Sequence, residues 1–190
     1  MNATRRRTLL GAAVIALALA GCAQPDSNLG SAADPTNVAA ASPSVLPPPT
    51  LSAATRERSQ RGAQDFVNYW IAAVNYAVQT GDINPLEAAS DPQCGQCQAV
   101  ISGVRDSYSD GGYTQGGVYR LRSAVADVLA LDEQPTISVT FDRSPQSLMA
   151  PDGQVRGSAP ALTFQRCQLI MEWSDNRWKV RTVLGASLVG

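Results

Sequence analysis

The stretch Gly111-Gly112-Tyr113-Thr114-Gln115-Gly116-Gly117 divides the chain into two kinds of sequence. Before it, apolar residues recur at intervals of three and four; after it, they alternate with polar ones. On the upstream side, Ala63, Phe66, Val67, Trp70, Ile71, Ala73, Val74, Ala77 and Val78 predict one long amphipathic helix over 54–80. Ser52 or Thr55 is suited to cap its start, and Gly81 supplies the left-handed exit residue. A short helical turn around Leu86-Glu87-Ala88-Ala89 follows. Ser90-Asp91-Pro92 then signals a third helix, with Cys97, Val100, Ile101, Val104 and Tyr108 on one stripe, which stops at Gly111-Gly112.

Downstream, Tyr119, Leu121 and Ser123 oppose Arg120 and Arg122, with the apolar run Val125 to Leu131 as a buried continuation and a turn at Asp132-Glu133. Ile137, Val139 and Phe141 alternate with polar neighbours as a half-buried strand, and Arg143 to Ser158 reads as a loop. A third strand starts near Ala161. Its phase changes at Gln165-Arg166, which predicts a bulge, before Cys167, Leu169, Met171 and Trp173 share a face. Ser174-Asp175-Asn176-Arg177 turns the chain into a last strand carrying Trp178, Val180, Thr182 and Leu184. Helices first and strands second predict an α+β fold: three N-terminal helices packed on a curved four-stranded antiparallel sheet, in one domain over 51–190.

The N-terminal part has a different character. Arg5-Arg6-Arg7 precedes an apolar run from Leu9 to Ala20, and the run ends in Leu19-Ala20-Gly21-Cys22. That is a signal peptide over 1–21 closing in a lipobox, with cleavage between Gly21 and Cys22 and diacylation of the Cys22 thiol. The mature chain is then lipid-anchored to the outer face of the cell membrane. Arg5-Arg6-Arg7 before Leu9-Leu10 suits both the twin-arginine and the general secretory route. Residues 23–50 are rich in Pro, Ser, Ala and Asn and contain no Trp, Tyr or Phe, so 22–50 reads as the lipidated Cys and a disordered tether. Random-coil scaling separates the ends of such a tether by about 30 Å.

Charge and composition exclude several functions. The chain has Lys+Arg 15 against Asp+Glu 16, and loss of Arg5, Arg6 and Arg7 leaves 12 against 16, a formal charge of −4. No basic stripe for nucleic acid follows from this. Histidine is absent, which removes Ser-His-Asp and Cys-His arrangements and the commonest metal ligand. Carboxylate, Tyr or Lys chemistry stays open, but no catalytic spacing stands out, and no metal site or cofactor is called for.

Cys94-Gly95-Gln96-Cys97 is a CxxC at a helix start, with no second pair and no His to complete a metal site. An oxidising compartment favours a structural disulfide between Cys94 and Cys97; a redox pair and two reduced thiols are the alternatives. Cys167 sits on an apolar strand face and reads as a buried small hydrophobe.

Several of these residues carry a family resemblance. Gly62-Ala63 to Phe66, Tyr69-Trp70, Gly81-Asp82, the segment from Ser90-Asp91-Pro92 to Cys94 and Cys97, and the closing Trp173, Trp178 and Val180 resemble a family of actinobacterial lipoproteins bearing a domain of unknown function. The order of elements also resembles the cone-shaped nuclear-transport-factor-2-like fold. That resemblance implies a cavity, with Tyr69, Trp70, Tyr119, Trp173 and Trp178 as candidate pocket residues and Asp65 and Asp106 as weaker candidates for pocket acids. Aromatic residues at helical and strand spacing are more often core, and helix-face acids more often solvated. The favoured reading is a binding or interaction module that takes an envelope protein or a small apolar ligand, either on the concave sheet face or at the rim loop 143–158. The alternative is a His-free enzyme of the steroid-isomerase or dehydratase kind, using an acid and a Tyr. Nothing in the sequence sets an oligomeric state.

Overall fold

Leu46–Ala126, Gln134–Gly185 and Leu188 are the residues that the computed structural model describes. The chain divides into Met1–Ser42 and Pro43–Gly190, and every described residue belongs to the second unit. The expected signal peptide, the expected Gly21–Cys22 cleavage site, most of the expected tether, the stretch 127–131 and the expected turn at 132–133 lie outside the described residues.

A 3-10 turn over Ala53–Arg56 is followed by α1, Gln60–Thr80. The long helix starts later than its apolar period suggests, because the Ser59 hydroxyl accepts the Gly62 N–H and takes the capping role expected of Ser52 or Thr55. All nine apolar residues of the expected stripe, from Ala63 to Val78, are buried. Gly81 leaves the helix at φ 78°, the left-handed exit. The helix α2 spans Asn84–Ala89, and α3 spans Gly95–Tyr108. Pro92 does not open α3. The Asp91 carboxylate accepts from the Gln93 N–H in a turn, and Cys94 is the N-cap.

The strands are β1 (Tyr113–Gly116), β2 (Tyr119–Ala126), β3 (Thr136–Arg143), β4 (Gln146–Met149), β5 (Val155–Ala159), β6 (Leu162–Ser174) and β7 (Arg177–Gly185). They form two antiparallel sheets, one of order β1-β4-β5 and one of order β2-β3-β6-β7. The expectation of three helices on one curved, cone-shaped four-stranded sheet is therefore corrected: the helices precede two sheets, of three and four strands. The physical reason lies in strand length. At four or five residues, β1, β4 and β5 are too short for alternation to stand out, and β1 finds its partner thirty or more positions away. The expected loop 143–158 thus contains a hairpin, and the stretch that separates helices from strands contains β1 itself.

Gly116 and Gly117 carry the chain from one sheet to the other, with φ of 72° and 69°. A Cβ on Gly116 would stand 2.0 Å from the Pro145 carbonyl oxygen, so only glycine fits that crossing. In the larger sheet, β2 and β3 slip register between Leu121 and Ser123, and β3 and β6 slip between Phe141 and Arg143. The second slip lies beside Phe164, whose φ is 50°, one residue from the phase change seen in the sequence. A further slip between Ile170 and Met171 reverses the end of β7, so Val183 is buried and Leu184, expected inside, is 47 % exposed. Asp175 and Asn176 at φ 52° and 58° make the tight β6–β7 turn.

One apolar core joins the inner stripes of α1 and α3 to Ile137, Val139, Phe141, Leu169, Met171, Trp178 and Val180. Among the described residues no helix is long and apolar enough to cross a membrane.

Candidate functional site

A cleft of ≈ 370 Å³ opens between α3 and the β1–β4 pair. Its inner wall is Val78, Val100 and Val104, all buried, with Leu148 facing them. Exposed Ser102 and Asp106 stand at its mouth beside Ser107 and Gln146, and Thr114, Tyr119 and Leu188 close its inner end. The apolar wall comes directly from helical spacing, since Val100 and Val104 are one turn apart on α3.

Tyr119 is placed by α1. Its backbone N–H donates to Asn75 Oδ1 at 2.7 Å, and its carbonyl accepts from Asn75 Nδ2 at 2.8 Å, so the amide of Asn75 pairs with β2 as a strand neighbour would. The Tyr119 ring packs on Phe141 at 5.5 Å, and its hydroxyl donates to the Leu188 carbonyl. Burial pushes the phenol pKa up, while the adjacent Arg143 charge and hydrogen bond pull it down.

Sequence reasoning missed Arg143. It continues the inward series Ile137, Val139, Phe141 by one more step of two, pairs in register with Tyr119 and is 2 % exposed. The alternation itself was the available signal; it was cut short because a charged residue reads as the end of a half-buried strand. Arg143 Nη2 donates to the Pro160 carbonyl at 3.1 Å, and its buried Nε has no hydrogen-bond partner. Among the described residues no carboxylate pairs with it. Its sequence neighbour Asp142 faces the other way, bonded to Arg122 and to the Phe164 N–H, and these bonds hold its carboxyl below the usual range.

The other aromatic candidates do not converge on the cleft. Trp70 donates its indole N–H to the Ser90 hydroxyl at 3.0 Å, and Trp178 donates to the Glu57 carbonyl at 3.0 Å. Both are 1 % exposed and act as core with a satisfied polar handle. Trp173 meets the Trp178 ring edge-on at 5.0 Å. Tyr69 lines a separate shallow hollow of ≈ 320 Å³ with Pro49, Thr50, Ser52 and Asp65, and burial raises its pKa. Asp65 accepts a hydrogen bond from Ser52 there, whereas Asp106 stands at the mouth of the main cleft. Of the five aromatic candidates Tyr119 alone lines this cleft, and of the two candidate acids Asp106 does.

Cys94 and Cys97 are joined by a disulfide with Cα atoms 5.2 Å apart, and both are buried at the start of α3. The preceding residues are tied to β7 by a Ser90–Val180 bridge and by the Asp91 N–H to the Val180 carbonyl at 2.9 Å. The disulfide thus sits where helix, turn and sheet meet. Cys167 is a buried free thiol, and desolvation pushes its pKa to about 11, which suppresses the thiolate. Among the described residues no group of three His, Cys, Asp or Glu is placed to hold a metal ion.

Among solved structures, the intermembrane space region of chloroplast protein ARC6 is 16 % identical over 67 % of this chain and 98 % of that one, with a TM-score of 0.45. Aln2 from a Streptomyces species is 12 % identical over 62 % of this chain and 85 % of that one, at 0.40. Neither score establishes a shared fold. No curated protein matches the chain. A family model does, over residues 37–184, and the chain therefore belongs to the family described as "Family of unknown function (DUF6318)".

Proposed function

We propose that this protein is an exported lipoprotein, held to the outer face of the cell membrane by a diacylated Cys22, whose folded domain binds a small apolar ligand. The lipobox Leu19-Ala20-Gly21-Cys22 behind a basic and apolar leader supports the anchor. The observation that carries the binding reading is the cleft: an inner wall of Val78, Val100 and Val104, with its exposed polar groups at the mouth. A site of that composition gains affinity from apolar burial and orientation from a few polar groups. The formal charge of −4 after loss of the leader runs against nucleic acid as a partner.

The anchor is tested by fractionating cells that express Cys22→Ala; release from washed membranes is expected, and unchanged retention refutes it. For the cleft, the test is displacement of an apolar fluorescent dye from the whole chain carrying Cys22→Ala. Val100→Trp, which fills the cleft from α3, is expected to abolish dye binding. Dye bound equally well by that variant places the ligand elsewhere.

A further inference from the structure

Thr114 is the buried residue of β1, at 8 % exposed. Its register partner is Leu148, so the two side chains stand on one side of the β1–β4 pair, and both line the cleft opposite α3. The Thr114 backbone N–H donates to the Tyr108 hydroxyl at 3.4 Å, but among the described residues nothing accepts from or donates to its own hydroxyl. The two phenols beside it are already engaged, Tyr108 donating to the Val78 carbonyl at 2.9 Å and Tyr119 to the Leu188 carbonyl. The rest of the inner wall is Val78, Val100, Val104 and Leu148. A hydroxyl buried among apolar groups costs stability unless it is hydrogen-bonded, and valine has nearly the same shape without that cost. The fold thus carries at this position a polar group that its own packing does not use.

The charge of the site narrows what can use it. Of the described residues lining the cleft none is a cation, and the one carboxylate, Asp106, is exposed at the mouth. Apart from Arg5, Arg6 and Arg7, the residues outside the described set include neither Lys nor Arg. A carboxylate or phosphate head buried here would meet no opposite charge in the lining. An amine head reaches only Asp106, where solvent screens the pair. Taking the cleft as the ligand site, we propose that its ligand is an uncharged amphiphile whose hydroxyl is bound by the Thr114 hydroxyl at the inner end, with its apolar body along Val78, Val100 and Val104. A threonine hydroxyl both donates and accepts, as an alcohol does.

The test uses octanol, chlorooctane and octanoate, which share a tail and differ in the head, to displace an apolar fluorescent dye from the whole chain carrying Cys22→Ala. Octanol is expected to bind and octanoate to bind more weakly. Thr114→Val is expected to weaken octanol by about three- to tenfold, the worth of one hydrogen bond, and to leave chlorooctane unchanged or tighter. Its melting temperature should stay level or rise, and Thr114→Ser, which keeps the hydroxyl, should bind octanol as the parent does. A loss of stability or a failure to fold in Thr114→Val shows that the hydroxyl serves the fold, and overturns the assignment. Octanol affinity unchanged in Thr114→Val, or octanol and chlorooctane weakened alike, overturns it too. Octanoate binding most tightly overturns the uncharged head. Displacement of the dye by none of the three overturns the cleft reading itself.

Discussion

Asn75 and Tyr119 exchange two hydrogen bonds across 44 positions of chain, side-chain amide to backbone, at 2.7 and 2.8 Å. A single polar residue of α1 thereby fixes where β2 begins and where the phenol at the end of the cleft stands. Asn75→Leu keeps the helix but leaves both backbone groups of Tyr119 without their partner, at a cost of about 1–3 kcal/mol. Urea denaturation should show that loss. Asn75→Asp, which keeps the acceptor for the Tyr119 N–H and loses the donor, should lie between the variant and the parent.

Gly62 faces the start of the domain at very short range. A Cβ there would stand 2.2 Å from the Glu57 carbonyl oxygen and 3.2 Å from Trp178 Nε1, at the point where that indole donates to Glu57. Gly62→Ala, normally favourable in a helix, is therefore expected to destabilise by about 1–3 kcal/mol through overpacking. A thermal melt equal to or above that of the parent would mean that the 3-10 turn moves away without cost.

The thiols make a countable prediction. With Cys22→Ala, the oxidised chain should show one reactive thiol in denaturant, Cys167, and three after reduction. In the folded state burial raises the Cys167 pKa from 9.0 to about 11. Between those values the folded chain keeps a proton that the unfolded chain has released, so this contribution to stability is complete below pH 9.0 and falls as pH rises toward 11. Burial raises the Tyr69, Tyr108 and Tyr119 pKa values in the same alkaline direction. Urea midpoints measured on either side of pH 9.0 should fall more steeply for the parent than for Cys167→Ala.

Phe164 is 66 % exposed and holds φ at 50°, a conformation costly for a side chain of its size. The Arg122 guanidinium lies 4.5 Å from its ring centroid. Phe164→Gly relieves a backbone cost of about 1–2 kcal/mol and forfeits an exposed cation–π contact of about 0.5–1 kcal/mol. The expected outcome is an unchanged or slightly raised urea midpoint. A clear fall would show that the ring's contact with Arg122 outweighs the backbone cost at Phe164.

The order of helices before strands, the buried stripe of α1 and the face of β3 were all legible from residue spacing. Each follows from a local period that one chain segment expresses by itself: three to four for Ala63 to Val78, two for Ile137 to Phe141. The proposed lipobox, Leu19 to Cys22, is likewise a reading of adjacent residues. What tertiary structure alone decided was pairing over distance. The strand β1 is too short to announce itself and exists because Met149 and its neighbours lie opposite Tyr113, and Gly116 turns the chain into a second sheet because Pro145 leaves room for nothing larger. The candidate site belongs to this second class. Val100 and Val104 were visible as an apolar stripe, but Tyr119 stands opposite the buried Arg143 only through the β2–β3 register, and a register is a property of two strands that neither carries alone.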